Sequence, residues 1–455
     1  MGLLSFALAV LAAGDGPSCS APAPTVYTHD ATILTLVAEN PTSDVDVPIR
    51  GRKNLVYSAR DDMPKFISGP TSAQFPLIAQ ASAKPAADGD DAATANSTAT
   101  IVAYAQAARQ LLEEQLVTHG AVYFRGLPLS GALDFAAFID ALGWNAVKLG
   151  GGGTQRSDIA KGVRSASDEP PTQTIEPHMD MAHSKAHPTH IAFYCLEGPP
   201  PGVGGETVLT NMRGVYSDLE AQGVPQAFAE KGGVAYHKRL WSAAQTNHTG
   251  YTWQKFFFTE GLDEALDEVR KRDPGAIVAQ ETDMIDFQEV RARPLVSPPP
   301  LPAPHARTHP AHAAHQVARP CPSRARAPHQ LRPRQVLPAV WQHPRTSEPI
   351  WFNGVHTNHR SYYVEAAHID TSEGSPMDTT YADGSAIPES TIGAVRKAYW
   401  ENSVAVRLQS GDLVVVDNYL ASHGRMSWVP PNPRKVLLTH FVQGATAVSE
   451  VPSAA

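Results

Sequence analysis

The run TIEPHMDMAHSKAHPTHIAFYCLEGPP, residues 174–200, gathers histidines, acids and a cysteine into one short stretch. Those residue types can hold a metal ion, and spacing narrows the choice. In an extended strand, side chains two apart share a face. His178 and Asp180 of PHMDM are therefore expected to converge on one ion while Met179 points away. Two histidines and a carboxylate on one face of an octahedron leave three positions open, the arrangement of non-haem Fe(II) oxygenases. The third ligand must come from elsewhere in the chain. His423, in GDLVVVDNYLASHGRM, is the best candidate, placed just beyond an apolar strand expected over 413–416. A lone HxD is a weak signal, but Thr207 in GVGGETVLT and Arg434 in PNPRKVLLTHF accompany it. An arginine on the strand after the distal histidine can pair with the far carboxylate of a co-substrate through a bidentate fork.

The neighbouring polar residues carry plainer expectations. His183 and His187 are read as loop residues, solvated or hydrogen-bonded, and His190 as packing or capping at a strand edge. Glu176, two before His178, would share its face and stand ready as a supporting acceptor or a substrate contact. Arg425 is read as structural, with a substrate-anion role as the alternative. For His440, in KVLLTHF, alternation does not decide between core and cofactor. Cys195 is expected to be a buried, inert thiol.

These residues need elements to position them. Ile101, Tyr104, Ala105, Ala108, Leu111 and Leu112 recur at helical spacing up to Gly120, which is placed to end a helix. AVYFRGLPL then reads as a strand and turn. DFAAFIDALG reads as a second helix with Phe135, Phe138, Ile139 and Leu142 on one face. Residues 85–100 form a small-residue linker or surface loop. The glycines of KLGGGGTQRSDIAKG do not make a phosphate loop, because no GK[ST] follows and Gln155 occupies the last glycine of a GxGxxG frame begun at Gly150. A mobile loop beside a pocket is the expectation there. Residues 292–334, rich in Pro, Ala, His and Arg and without Lys, have neither apolar periodicity nor balanced charge, and are read as a disordered insertion. The histidines of that tract are taken as compositional.

Composition excludes other roles. A chain of 455 residues with a formal net charge of -8 lacks the basic surface that nucleic-acid binding needs. Its three cysteines, Cys19, Cys195 and Cys321, are too scattered for a disulfide framework or a Cys-rich zinc site. The apolar run over 3–13 is short of the roughly 20 residues a membrane span requires. It fits the core of a signal or targeting segment over 1–24, although no Lys or Arg precedes it.

Taken together, HMD, GGET, HGR and PRKVLL in that order, with GAVYFRGLPL upstream and IWFNGV between, resemble the taurine dioxygenase family, especially its clavaminate synthase-like members. The resemblance runs from about Gly51 to Gln443, interrupted by the biased segment, and implies one catalytic domain over 48–447. It implies an α+β fold with a double-stranded β-helix (jelly-roll) core and flanking helices, and the use of Fe(II), 2-oxoglutarate and O2. Carried over by position, His178, Asp180 and His423 would ligate the iron, and Thr207 and Arg434 would bind 2-oxoglutarate. Some relatives carry HxE where this chain has HxD; either carboxylate can ligate iron. The implied reaction oxidises a C–H bond of a small molecule, with hydroxylation as the default, and releases succinate and CO2. A zinc-dependent hydrolase could use the same three ligands, but it leaves Thr207 and Arg434 without a task. A non-catalytic jelly-roll binding protein is the other rival.

Overall fold

The computed structural model describes residues 26–29, 32–37, 47–49, 64–67, 75–83, 98–148, 156–167, 169–243, 252–272, 277–281, 330–363 and 374–443. Helix α1 is Thr98–His119, and the six residues that the periodicity marks along it are all buried. It begins inside the stretch expected to be a linker, whose other residues from 85 to 97 lie outside the described residues. Gly120, at φ 73°, ends α1 as expected. Helix α2 is Ala132–Leu142, burying Phe135, Phe138, Ile139 and Leu142 and closing on Gly143 in the left-handed region.

The helices cover one face of a ten-stranded sheet. Six of its strands matter most here: β1 (Leu77–Ala83), β2 (Ala121–Arg125), β3 (Val163–Ser165), β5 (His190–Glu197), β8 (Leu413–Asp417) and β10 (Lys435–Phe441), in the spatial order β1-β2-β8-β5-β10-β3. A four-stranded sheet is made of β4 (Ile175–His178), β6 (Thr207–Asn211), β7 (Ser403–Val406) and β9 (Ala421–Arg425), in the order β4-β9-β6-β7.

Alternation along the strands of the larger sheet divides their side chains between two cores. Val122, Phe124, Ala192, Tyr194, Val415 and Leu437 pack with α1 and α2. On the opposite face Tyr123, Ile191, Phe193, Val414, Val416, Val436 and Leu438 meet Leu209, Val404, Val406 and Ala421 of the smaller sheet. The two sheets therefore pack face to face. Burying each large aliphatic side chain contributes about 1.5–3 kcal/mol, so this double layer is a rigid mount for whatever projects from its open end.

A third sheet of five strands contains Val234–Lys238, Leu240–Trp241, Ile277–Glu281, Gln330–Leu337 and Met377–Tyr381. Its strand Gln330–Leu337 corrects one boundary, since residues 330–334 were expected to belong to the disordered segment. All five pair with Ile277–Glu281 on one side, and on the other Arg334 pairs with His237 while Leu331 and Gln330 pair with Leu240 and Trp241. Backbone hydrogen bonds hold them, and Leu331 is fully buried, so arginine-rich composition hid a strand. Residues 292–329, with the histidine tract, lie outside the described residues, as do the glycine-rich positions 149–155 and the N-terminal segment 1–24. Among the described residues no helix is long and apolar enough to cross a membrane.

Candidate metal centre

Strands β4 and β9 pair antiparallel with His178 opposite His423, and the next register pair is Ile175 with Arg425. Two residues of β4 thus stand where β9 has one, which is a β-bulge. The bulge changes the expected geometry. Ile175 and His178 both line the pocket, whereas Glu176 does not share the face of His178. Its carboxylate instead meets Arg396 of helix α3 (Glu389–Glu401) at 3.0 Å in a fully buried pair. Gly424 makes the bulge possible. A Cβ there would lie 2.8 Å from Ile175 O and 3.0 Å from Pro177 N, closer than backbone atoms allow.

Asp180 lies beyond the end of β4, so strand alternation is not what brings it to His178. A turn does that work, with Met181 at φ 59°. Asn418 holds the turn: its Oδ1 accepts from Asp180 N–H at 3.0 Å, and its Nδ2 donates to Asp180 O at 3.0 Å and to Pro188 O at 2.8 Å. The outcome matches the expected convergence. Asp180 Oδ1 is 3.4 Å from His178 Nε2 and 3.8 Å from His423 Nε2. One ligand atom from each of the three residues lies within 4.8 Å of the others.

The donor set suits a divalent transition metal. His178 Nδ1–H donates to Glu176 O at 2.9 Å, which leaves the Nε2 lone pair for a metal. Burial, with His178 beside it, pushes His423 down to about 3, so its ring is neutral and able to ligate at ordinary pH. Burial alone would raise the pKa of Asp180; the Arg156 guanidinium and the hydrogen bond from His440 oppose it, and the carboxyl is held well below the usual range.

Sequence reasoning does not single out Arg156 and leaves His440 open between core and cofactor; both stand against Asp180. Arg156 Nη2 donates to Asp180 Oδ2 at 3.0 Å and lies 3.3 Å from Oδ1, while its Nη1 donates to Ala166 O. His440 places Nε2 at 2.7 Å from Asp180 Oδ2. Arg156 lies in the stretch read as a loop beside a pocket, and it does line the pocket, but no spacing singles out the arginine itself. For His440 a signal existed, because it lies six positions after Arg434, an even step that keeps both on one side of an extended chain.

The expected co-substrate residues also come together. Arg434 Nη2 donates to Thr207 Oγ1 at 3.0 Å and its Nε to Gly205 O at 2.7 Å. Gly205, at φ 82°, passes so close that a Cβ would be 3.1 Å from Arg434 Cδ. Burial lowers the pKa of Arg434 to about 10, with Cys195 and Glu206 opposing the shift, and the side chain stays charged at neutral pH. Thr207, Arg425 and Ile175 form one row across the smaller sheet, and Leu209, His423 and His178 form the next. His178, His423, Thr207 and Arg434 line one pocket of about 510 Å3, with Arg156, Phe193, Arg425 and Val436 among the other walls. Arg425 has a structural task, donating to the backbone carbonyls of Glu169, Pro170 and Gln173.

The remaining histidines of the opening run stand outside the cluster. His187 is buried between Ser184 O and Tyr419 Oη, each 2.9 Å away. His183 is buried rather than solvated and faces the Tyr236 ring at 6.2 Å. His190 begins an interior strand, paired with Asp417 on one side and Phe441 on the other, so it caps no edge. Cys195 is buried with a free thiol, and burial pushes its pKa up to about 12, consistent with an inert packing residue.

Comparison with known proteins places this geometry in context. The family model for taurine catabolism dioxygenase TauD, TfdA family, matches residues 86–440. A clavaminate synthase-like protein of Arabidopsis thaliana is 25% identical over 334 residues, 72% of this chain and 83% of the relative. The dapdiamide synthesis protein DdaC of Enterobacter agglomerans is 23% identical over 319 residues, covering 69% of this chain and 80% of its own. Among solved structures, PvcB of Pseudomonas aeruginosa aligns over 91% of this chain and 96% of its own at 13% identity and TM-score 0.39. A putative alpha-ketoglutarate-dependent taurine dioxygenase of Burkholderia xenovorans aligns over 84% and 92%, at 14% identity and TM-score 0.36.

Proposed function

Because the chain belongs to the taurine catabolism dioxygenase TauD, TfdA family, we propose that its pocket oxidises a C–H bond of a small molecule, hydroxylating it, with His178, Asp180 and His423 as the iron ligands. The protein is an Fe(II)- and 2-oxoglutarate-dependent oxygenase, and its co-substrates are 2-oxoglutarate and O2. The proposed balance is substrate, 2-oxoglutarate and O2 to hydroxylated substrate, succinate and CO2, with one oxygen atom entering each organic product. The observation that carries this reading is the convergence of the three ligand atoms within 4.8 Å beside a pocket that His178 and His423 line together with Arg434 and Thr207. A hydrolytic zinc centre would account for the three converging residues and would leave Arg434 and Thr207 without a task. We read the two facing sheets as a double-stranded β-helix core.

Iron bound here supplies the redox chemistry that couples O2 reduction to decarboxylation of the co-substrate. The chain supplies placement. Arg434, fixed by Gly205 O and Thr207 Oγ1, offers its guanidinium to the far carboxylate of 2-oxoglutarate. His423 presents a neutral ring, Asp180 presents a charged oxygen, and His178 turns Nε2 towards the same point. Phe193, Ile175 and Val436 supply apolar pocket wall, which helps to exclude water and to aim one C–H bond.

The test is anaerobic reconstitution with Fe(II) and 2-oxoglutarate, followed by a substrate screen read as succinate release. A visible charge-transfer band should appear only when both are present. Replacing His178, Asp180 or His423 with alanine should abolish the band and coupled turnover; full activity in His423→Ala would remove the third ligand from this assignment.

A further inference from the structure

The two oxygens of Asp180 have different surroundings. Oδ1 faces the ring nitrogens of His178 and His423 at 3.4 and 3.8 Å, with Arg156 Nη2 at 3.3 Å. Oδ2 takes the 2.7 Å contact with His440 Nε2 and the 3.0 Å contact with Arg156 Nη2. A carboxylate oxygen can only accept, so His440 carries its proton on Nε2. Its other nitrogen, Nδ1, is buried without a hydrogen-bond partner in the structure; as a lone pair it leaves no donor stranded. His440 itself is 4% exposed on β10, between strands that pair with it on both sides, so the ring has little room to leave.

We infer that His440 is a positioning residue for the metal centre: its Nε2–H holds Asp180 Oδ2, and so decides that Oδ1 is the oxygen turned to the two histidines. The inference rests on the reading of His178, Asp180 and His423 as the ligand set. Arg156 touches the same oxygen but acts in the opposite sense on a cation, because its charge repels the ion that Asp180 attracts. Orientation is the task of the neutral donor. Outer partners of metal ligands commonly change metal affinity by roughly 10- to 100-fold when removed, and that sets the scale.

The probe is Co(II) added to the metal-free protein, with affinity measured by chelator competition and geometry by the visible spectrum of the bound ion. His440→Phe, which fills the space without a donor, should weaken Co(II) binding roughly 10- to 100-fold and alter the spectrum. His440→Gln, whose amide N–H can reach the same oxygen, should recover most of the affinity and the parental spectrum. Arg156→Met should bind Co(II) at least as tightly as the parent. His423→Ala, measured alongside, separates the two levels of the argument. If His423→Ala keeps its metal, the ligand assignment fails. If it loses metal while His440→Phe keeps the parental affinity and spectrum, the ligands stand and His440 has no positioning role. Equal losses in the Phe and Gln variants would also overturn the inference, because packing and not the hydrogen bond would then be what matters. Should the Phe variant not fold, His440→Ala replaces it in the same comparison with Gln.

Discussion

Replacing Arg434 with alanine removes a guanidinium that the protein has oriented in advance. Two of its N–H groups are bonded to Gly205 O and Thr207 Oγ1 at 2.7 and 3.0 Å, which fixes the plane of the fork and leaves Nη1 to meet the far carboxylate of 2-oxoglutarate. A charge-assisted hydrogen bond contributes about 1.5–3 kcal/mol, and leaving the buried carboxylate without its partner costs about 3–5 kcal/mol. The dissociation constant for 2-oxoglutarate should therefore rise by roughly ten- to a thousandfold. Fe(II) affinity should hardly change, because Arg434 hydrogen-bonds to Gly205 and Thr207 and to none of the three metal ligands. Arg434→Lys should recover only part of the loss, since an ammonium keeps the charge without the fork. The assay is anaerobic titration of the Fe(II)-loaded protein with 2-oxoglutarate, followed by its charge-transfer band, with pyruvate as the control. Pyruvate lacks the far carboxylate and should bind parent and mutant almost equally. Undiminished 2-oxoglutarate affinity in Arg434→Ala, or an equal loss for pyruvate, would refute the role given to this residue.

Two further outcomes follow from packing and burial. Gly424→Ala places a methyl group 2.8 Å from Ile175 O, so the bulge must shift; expect a loss of about 1–3 kcal/mol in urea unfolding together with weaker metal binding, and a variant matching the parent in both would show that the bulge has slack. Burial, reinforced by Arg396, drops His356 and His359 to about 3, and burial with Arg334 drops His237 to about 4. These folded values lie below the roughly 6.5 of an unfolded histidine, so as pH falls the unfolded chain takes up protons first. Stability should be fully present above about pH 6.5 and decline steadily towards pH 4 and below; a urea midpoint that stays level or rises over that interval would contradict the burial of these rings.

The candidate site was legible because its residue types and their order can be read directly along the chain. His178, Asp180, His423, Thr207 and Arg434 each sit in a short stretch with turn residues and an apolar strand beside it, and those signals are local. What was not legible depended on departures from regularity or on contacts across the sheets. Alternation put Glu176 beside His178, and the bulge in β4 turned it towards Arg396 instead. Alternation also appeared to explain Asp180, which reaches its place through a turn clamped by Asn418. Arg156 and His440 are distant in sequence from Asp180, and only the layering of the sheets brings them to one oxygen. The helices α1 and α2 were read correctly to within a few residues because a wide apolar face repeats many times.

The pairing of Glu281 with Gln330 has a consequence for the length of the chain between them. Those two residues are neighbours across a ladder, so the ends of residues 282–329 are held together whatever the number of residues that joins them. The entropy of closing such a loop grows only logarithmically, about 0.6 kcal/mol for each doubling. Halving or doubling the connection would thus alter the free energy of folding by only about 0.6 kcal/mol, little more than a single surface substitution does. The ladder between Ile277–Glu281 and Gln330–Leu337 thus makes the fold tolerant of the length of that connection.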